Sequence, residues 1–189
     1  MIEGFPTGQF DVVLADPPWS YSGQQDKWGA AAKFYNTLPD EDILGLPVRD
    51  LLKRNGVLFM WATSPRMDIA FRCIESWGLH YRGVAFVWVK TKKDGTTPIG
   101  AQGVRPSIVK PTCEFVLAAS PIRTGRPMGL SDESVKQVVL APKQEHSRKP
   151  DEVQERIERL YPDASRIELF ARRNRPGWSA WGDEATALD

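Results

Sequence analysis

Asp16-Pro17-Pro18-Trp19 sets an acid, two rigid prolines and a large aromatic side by side, directly after the apolar run Phe10 to Ala15. Proline has no N–H, so each one removes a donor and stiffens the backbone, leaving carbonyl oxygens as acceptors beside the Asp16 carboxylate. Two acceptors fixed against an aromatic face match an aromatic base with an exocyclic amine, which donates two N–H bonds while its ring stacks on Trp19. The lone pair of such an amine is delocalised into the ring. Accepting its protons draws the nitrogen toward tetrahedral geometry and frees the pair to attack an electrophilic carbon. Asp16 would orient and polarise the amine and help remove the departing proton. The competing reading of these four residues is a proline-rich turn with an aromatic packed beneath it.

The surrounding pattern must hold that loop at a ligand-binding edge. Phe10 to Ala15 reads as a strand, and Val57 to Ala62 and Val84 to Val89 as continuous apolar strands of the buried kind. Glu114 to Ala119, Val135 to Leu140 and Arg166 to Phe170 extend the series. Asp40 to Arg54 carries Ile43, Leu44, Val48, Leu51 and Leu52 at helical spacing, broken by Pro47, which predicts a kink or two short helices. A helix after Pro65 repeats Ala70, Cys73, Ile74 and Trp77 and ends at Gly78. Another is expected from Pro150, with Val153, Ile157 and Leu160 inward. Strands alternating with helices predict an α/β fold with a mostly parallel sheet, whose ligands lie at the carboxyl ends of the strands. The loops after Ala15, Ala62 and Phe170 are therefore the ones to watch.

A length of 189 residues fits one compact domain that buries a core without disulfides or a structural metal. Cys73 and Cys113 lie in apolar runs, which suits a reducing compartment, and His80 and His146 have no metal-ligand spacing with them. No apolar stretch is long enough for a membrane span. The formal charge of +1 argues against a coat-like nucleic-acid binder but leaves room for local basic surfaces. One runs from Lys90 to Lys110, where Lys90, Lys92, Lys93, Arg105 and Lys110 face Asp94 alone. Others lie at Arg148 and Lys149 and at Arg172, Arg173 and Arg175. Trp61, Trp77 and Trp88 are read as core.

Taken in order, these motifs resemble the MT-A70 family of adenine amino-methyltransferases. Asp-Pro-Pro-Trp after a strand is its catalytic signature. The resemblance continues through Phe34-Tyr35-Asn36-Thr37-Leu38-Pro39-Asp40-Glu41, Val57-Leu-Phe-Met-Trp61, Trp88-Val89-Lys90-Thr91, Ser147-Arg148-Lys149-Pro150-Asp151-Glu152 and Ile167-Glu-Leu-Phe-Ala-Arg172, with Trp178 and Gly182 beyond. It spans about residues 10 to 184 of a chain read as a single domain over 1 to 189.

The resemblance implies a Rossmann-like three-layer sandwich of permuted order, with the catalytic strand first and the donor-binding strand, Arg166 to Phe170, last. It implies S-adenosylmethionine as methyl donor and adenine N6 in a nucleic acid as acceptor, with DNA favoured over RNA. Asp16, Pro17, Pro18 and Trp19 would be catalytic. Lys149 matches a lysine that meets the donor's carboxylate, with Asp16 beside it; Arg172 and Asn174 match ribose contacts, and Asp183 and Glu184 fall at the adenine end. Asn174 aligns across a gap, because Arg173-Asn174-Arg175 stands where the family commonly has His-Asn. Trp19 and Tyr35 would flank the target base, and Lys90, Lys92, Lys93 and Arg105 would track phosphates. No metal is expected. The implied setting is the cytoplasm of a bacterial or phage-infected cell, and whether the protein pairs with a second copy or a partner subunit is open. A non-catalytic substrate-holding subunit is the alternative from another class, and a small-molecule methyltransferase a third.

Overall fold

The computed structural model describes residues 4–20, 38–99, 108–144 and 148–182. Seven strands form one sheet in the order β5-β3-β4-β2-β1-β6-β7. They are β1 (Phe10–Ala15), β2 (Leu52–Ala62), β3 (His80–Thr91), β4 (Cys113–Ser120), β5 (Val138–Pro142), β6 (Arg166–Leu169) and β7 (Ser179–Trp181). Only β4 is antiparallel to its neighbours, so the other six strands run in one direction. The helices are α1 (Asp40–Leu44), α2 (Val48–Leu51), α3 (Met67–Ser76) and α4 (Asp151–Leu160).

β1 is buried on both faces, as a strand central to a parallel sheet must be. Val13 and Ala15 pack on one side with Ile43, Leu51, Ile69, Cys73 and Ile74 from α1, α2 and α3. Val12 and Leu14 pack on the other with Val153 and Ile157 of α4. Strand periodicity of two sends alternate residues to opposite faces, so the short run Val12-Val13-Leu14-Ala15 feeds two cores.

Pro47 separates α1 from α2, as expected, but the helical stretch stops at Leu51 rather than Arg54. Leu52 is already extended and pairs with Phe10 of β1, and the next paired residue is Val57 opposite Val12. The intervening residues bulge out of the ladder. Gly56 is needed there, since a Cβ would lie 2.8 Å from the Leu52 side chain and 3.1 Å and 3.2 Å from two backbone oxygens. α3 follows the predicted stripe and ends at Gly78, whose φ of +66° is the left-handed cap conformation. Trp77 donates its indole N–H to the Ile43 carbonyl, tying α3 to α1.

Other boundaries also differ from expectation: β2 begins at Leu52 and not Val57, β3 runs over His80–Thr91 and not Val84 to Val89, and β6 ends at Leu169 and not Phe170. Pro150 is the cap of α4 rather than its first helical residue. β5 starts at Val138 instead of Val135, because only from there does the chain run beside Val87 to Thr91 of β3. The series does not close with β6: the three-residue strand β7 adds to its outer edge, too short to leave a periodic signal. No helix among the described residues is long and apolar enough to cross a membrane.

Candidate active site

β1 lies between β2 and β6, and the loops leaving β1 and β6 meet at the carboxyl edge of the sheet. Such a position is where open α/β sheets hold ligands. Asp16 is the first residue past β1, and its N–H donates to the Leu169 carbonyl at the end of β6. By alternation its side chain falls on the α4 side, with Leu14.

There it meets Lys149. The ammonium donates to both carboxylate oxygens of Asp16, at 2.8 Å and 2.6 Å. Glu114 stands 3.5 Å from the same nitrogen and 2.5 Å from the ammonium of Lys90. The result is a line of alternating charge, Asp16, Lys149, Glu114, Lys90, each side chain between 13% and 19% exposed. Two rings underlie it: Lys149 Nζ is 5.3 Å from the Trp61 ring centre and Lys90 Nζ 5.1 Å from that of Trp88, and the rings meet edge to face at 6.2 Å. Cation–π contact lowers the cost of holding both ammonium groups away from bulk water.

Burial opposes the charged form of Lys149, but Asp16 and Glu114 outweigh it and the pKa rises. Burial likewise opposes ionised Glu114, yet Lys149 and Lys90 hold its carboxyl below the usual range. Glu168, across from Leu14 on β6, behaves the other way. Burial and the nearby Asp16 charge push it to about 7, against a hydrogen bond of 2.8 Å from Gln154 on α4.

Trp19 lies across the sheet from Asp16, packed with Ile43 and Leu46 on the face of α1 to α3. The tetrad therefore crosses over the sheet edge. Trp19 is 5% exposed and its indole nitrogen has no hydrogen-bond partner among the described residues. Its backbone N–H donates to the Pro17 carbonyl at 2.8 Å, a tight three-residue turn. The expectation that the proline carbonyls are free of local donors is corrected for Pro17, which keeps one lone pair for a ligand. Beyond the turn, Ser20 donates to Asp40 at 3.2 Å, and Arg66 clamps both Asp40 oxygens at 2.5 Å and 2.6 Å. The loop is pinned at both ends.

The loop after β6 opens on Phe170, held at φ +62° against Trp181. Non-glycine residues seldom adopt that conformation, and it turns the chain so that Ala171 is buried and Arg172 is half-buried beside the site. The Arg172 charge reaches Lys149 and opposes its protonation. Asn174 follows on the same loop, also half-buried. Arg173 and Arg175 turn to α4, pairing with Asp151 and, for Arg175, with Glu158 at 2.8 Å.

Of the basic stretch, Lys92 and Lys93 are exposed on a turn closed by Asp94, whose carboxylate accepts from the N–H groups of Thr96 and Thr97 and the Thr97 hydroxyl. Those bonds, the Thr97 hydroxyl first, pull Asp94 down to about 2. Lys90 is instead committed to Glu114 and Trp88. Tyr35, Arg105, Asp183 and Glu184 lie outside the described residues. Trp61, Trp77 and Trp88 are core residues, each 2% exposed. Sequence reasoning passed over Glu114 and Glu168. The available signal was an acid flanked by apolar residues in each of two strands, Cys113 and Phe115 around Glu114 and Ile167 and Leu169 around Glu168.

A mostly parallel sheet with a pinned acid and a partly buried lysine over its central carboxyl edge defines the class: an α/β fold of the kind that holds ligands at that edge. Residues 10–184 match the family model described as MT-A70. The chain is 32% identical over 196 residues to the type II methyltransferase M.MunI of Mycoplasma sp, covering 95% of this chain and 79% of that protein. It is also 32% identical to the human N(6)-adenosine-methyltransferase catalytic subunit METTL3 and 30% identical to a probable MT-A70-like N(6)-adenosine-methyltransferase of Oryza sativa subsp. japonica. Each match covers 96% of this chain but only 29% and 24% of those longer proteins. The chain belongs to the MT-A70 family of adenine N6-methyltransferases.

Proposed function

We propose that the protein methylates the exocyclic N6 amine of adenine in DNA, as one domain with its core over residues 10 to 184. The observation that carries this reading is the Asp16 carboxylate at the end of β1, bonded through both oxygens to Lys149. We infer a Rossmann-like three-layer sandwich in permuted order, the catalytic strand β1 first and the donor-binding strand β6 late.

The residues present suit S-adenosylmethionine. A partly buried ammonium fits its carboxylate, the Asp16 carboxylate fits its amino group, and Arg172 and Asn174 border the site where a ribose diol needs polar partners. Asp183 and Glu184 are assigned to its adenine end. When bound, the donor supplies an electrophilic methyl carbon on a sulfonium.

The protein's part is acceptance and placement. Asp16 and the Pro17 carbonyl accept the two N–H bonds of the amine and localise its lone pair. Pro17, Pro18 and the clamp of Asp40 by Arg66 hold those acceptors in place before substrate arrives, so little reorganisation accompanies the reaction. Trp19 anchors the loop from the core face and Tyr35 flanks the base. Lys92 and Lys93, with Arg105, supply phosphate contacts, and a base drawn from a duplex would be flipped at a cost of a few kcal/mol.

DNA is favoured because the type II methyltransferase is matched over most of its own length, whereas the N(6)-adenosine enzymes are matched over a minor part of theirs. Mass spectrometry of nucleosides after incubation with DNA and with RNA tests the proposal. Methyl-adenine on DNA is the expected product. Product on RNA alone would overturn the substrate, and donor binding without product on either would point to an accessory subunit.

A further inference from the structure

The alternating line of charge contains more than the reaction above uses. Lys149 has three N–H donors. Two are spent on Asp16 at 2.8 Å and 2.6 Å, and Glu114, at 3.5 Å, is the long and weakest partner. Any incoming carboxylate that meets Lys149 displaces Glu114 most easily.

We propose that Glu114 is a stand-in for the donor's carboxylate on Lys149, and that Lys90 is the positioning residue that lets it go. The inference rests on the reading that Lys149 meets that carboxylate. Glu114 is a side chain only 13% exposed, and a carboxylate in such a place is costly without a counter-ion. With Lys90 at 2.5 Å, Glu114 stays paired when Lys149 turns to the ligand. Without Lys90 its one remaining cation among the described residues is Lys149, so it holds on and competes with the ligand. The two tryptophans make the exchange local, because Trp88 and Trp61 carry the two ammonium groups on adjoining rings with Glu114 between them.

The test is calorimetric and does not depend on turnover. S-adenosylhomocysteine carries the carboxylate; methylthioadenosine lacks the whole amino-acid end. In the full chain, Lys90→Met is expected to weaken S-adenosylhomocysteine by about tenfold while leaving methylthioadenosine within about threefold. Adding Glu114→Gln to Lys90→Met is expected to restore S-adenosylhomocysteine binding, because the competing charge is gone. Equal losses for both ligands, no loss, or failure of the second substitution to restore binding would each overturn the proposal. Neither variant orphans a buried charge: Glu114 keeps Lys149 in the first, and Lys149 keeps Asp16 in the second. Lys149→Met separates the two levels. If it leaves both ligands unaffected, the donor reading of Lys149 has failed and the exchange falls with it. If it weakens S-adenosylhomocysteine alone and Lys90→Met does not, the donor reading stands and the exchange is wrong.

Discussion

Lys149 and Asp16, 133 positions apart in the chain, share two hydrogen bonds of 2.8 Å and 2.6 Å at the carboxyl edge of the sheet. One comes from the loop ahead of α4 and the other from the end of β1. Their contact joins the side of the site that would hold the donor to the side that would hold the amine.

On the proposed mechanism Asp16→Ala removes the acceptor assigned to the amine, and it is expected to lower methyl transfer by about a thousandfold. Lys149 keeps Glu114 as a counter-ion in that variant, so the fold should survive. Labelled-methyl incorporation beside a circular dichroism spectrum checks both halves. Unchanged transfer would remove Asp16 from the mechanism.

Lys149→Ala should weaken donor binding by about tenfold or more and nucleic-acid binding much less, since the ammonium is partly buried and paired with Asp16 rather than exposed on a surface loop. Titrations with each ligand decide it. A larger loss for nucleic acid would place the donor elsewhere.

Glu168 gives the stability curve a definite slope. Its folded-state pKa is about 7 against an ordinary 4.5, so between those values the folded protein holds more protons than the unfolded chain. The stabilisation from protonated Glu168 is fully present below the lower value and lost as pH rises through the upper one, a change of at most about 3 kcal/mol. Glu168→Gln keeps the polar partner for Gln154 without the charge. The melting temperature of the parent protein should therefore fall relative to the variant between roughly pH 5 and 8. Parallel curves would show that Glu168 does not titrate there.

Gly182→Ala tests the packing of β7 against β6. A Cβ at that position would lie 2.3 Å and 2.5 Å from the backbone oxygen and nitrogen of Ala171, which no side chain can relieve. The same Ala171 N–H donates to the Trp181 carbonyl, so pushing the two segments apart loosens β7 from β6. A loss of roughly 2 kcal/mol is expected, or about 4–8 °C in melting temperature at this chain length. A substitution without thermal effect would contradict the packing described.

Trp19→Ala should cost about 3–5 kcal/mol of stability, as deletion of a core aromatic does. Trp19→Phe should cost far less, because the indole nitrogen has no partner among the described residues to lose. Chemical denaturation of the two variants separates packing from hydrogen bonding.

Much of this fold was legible because burial leaves a local mark. Val12 to Ala15 and Val57 to Ala62 are apolar on both faces, so they must be interior strands. Ala70, Cys73 and Ile74 keep helical spacing because α3 covers one face of the sheet. Residue type and position singled out the tetrad after β1, while the lysine before α4 was singled out by the resemblance to the family. The break at Leu52 was not, since Leu51 and Leu52 continue a helical stripe that only the pairing of Leu52 with Phe10 interrupts.

What tertiary structure alone decided is which charges face one another. Glu114 opens an apolar strand and looks like a boundary residue, but β4 runs against the other six strands, so its beginning lies at their carboxyl ends. Reversal of that one strand brings Glu114 between Lys90 and Lys149. Lys90 reads from sequence as one of several loop cations, yet the register of β3 seats it over Trp88 with its ammonium on Glu114. Residue types and strand periodicity are local properties that the sequence determined by itself. Strand direction, register and the meeting of distant loops depend on free energies summed over the whole sheet, and no four-residue motif carries them.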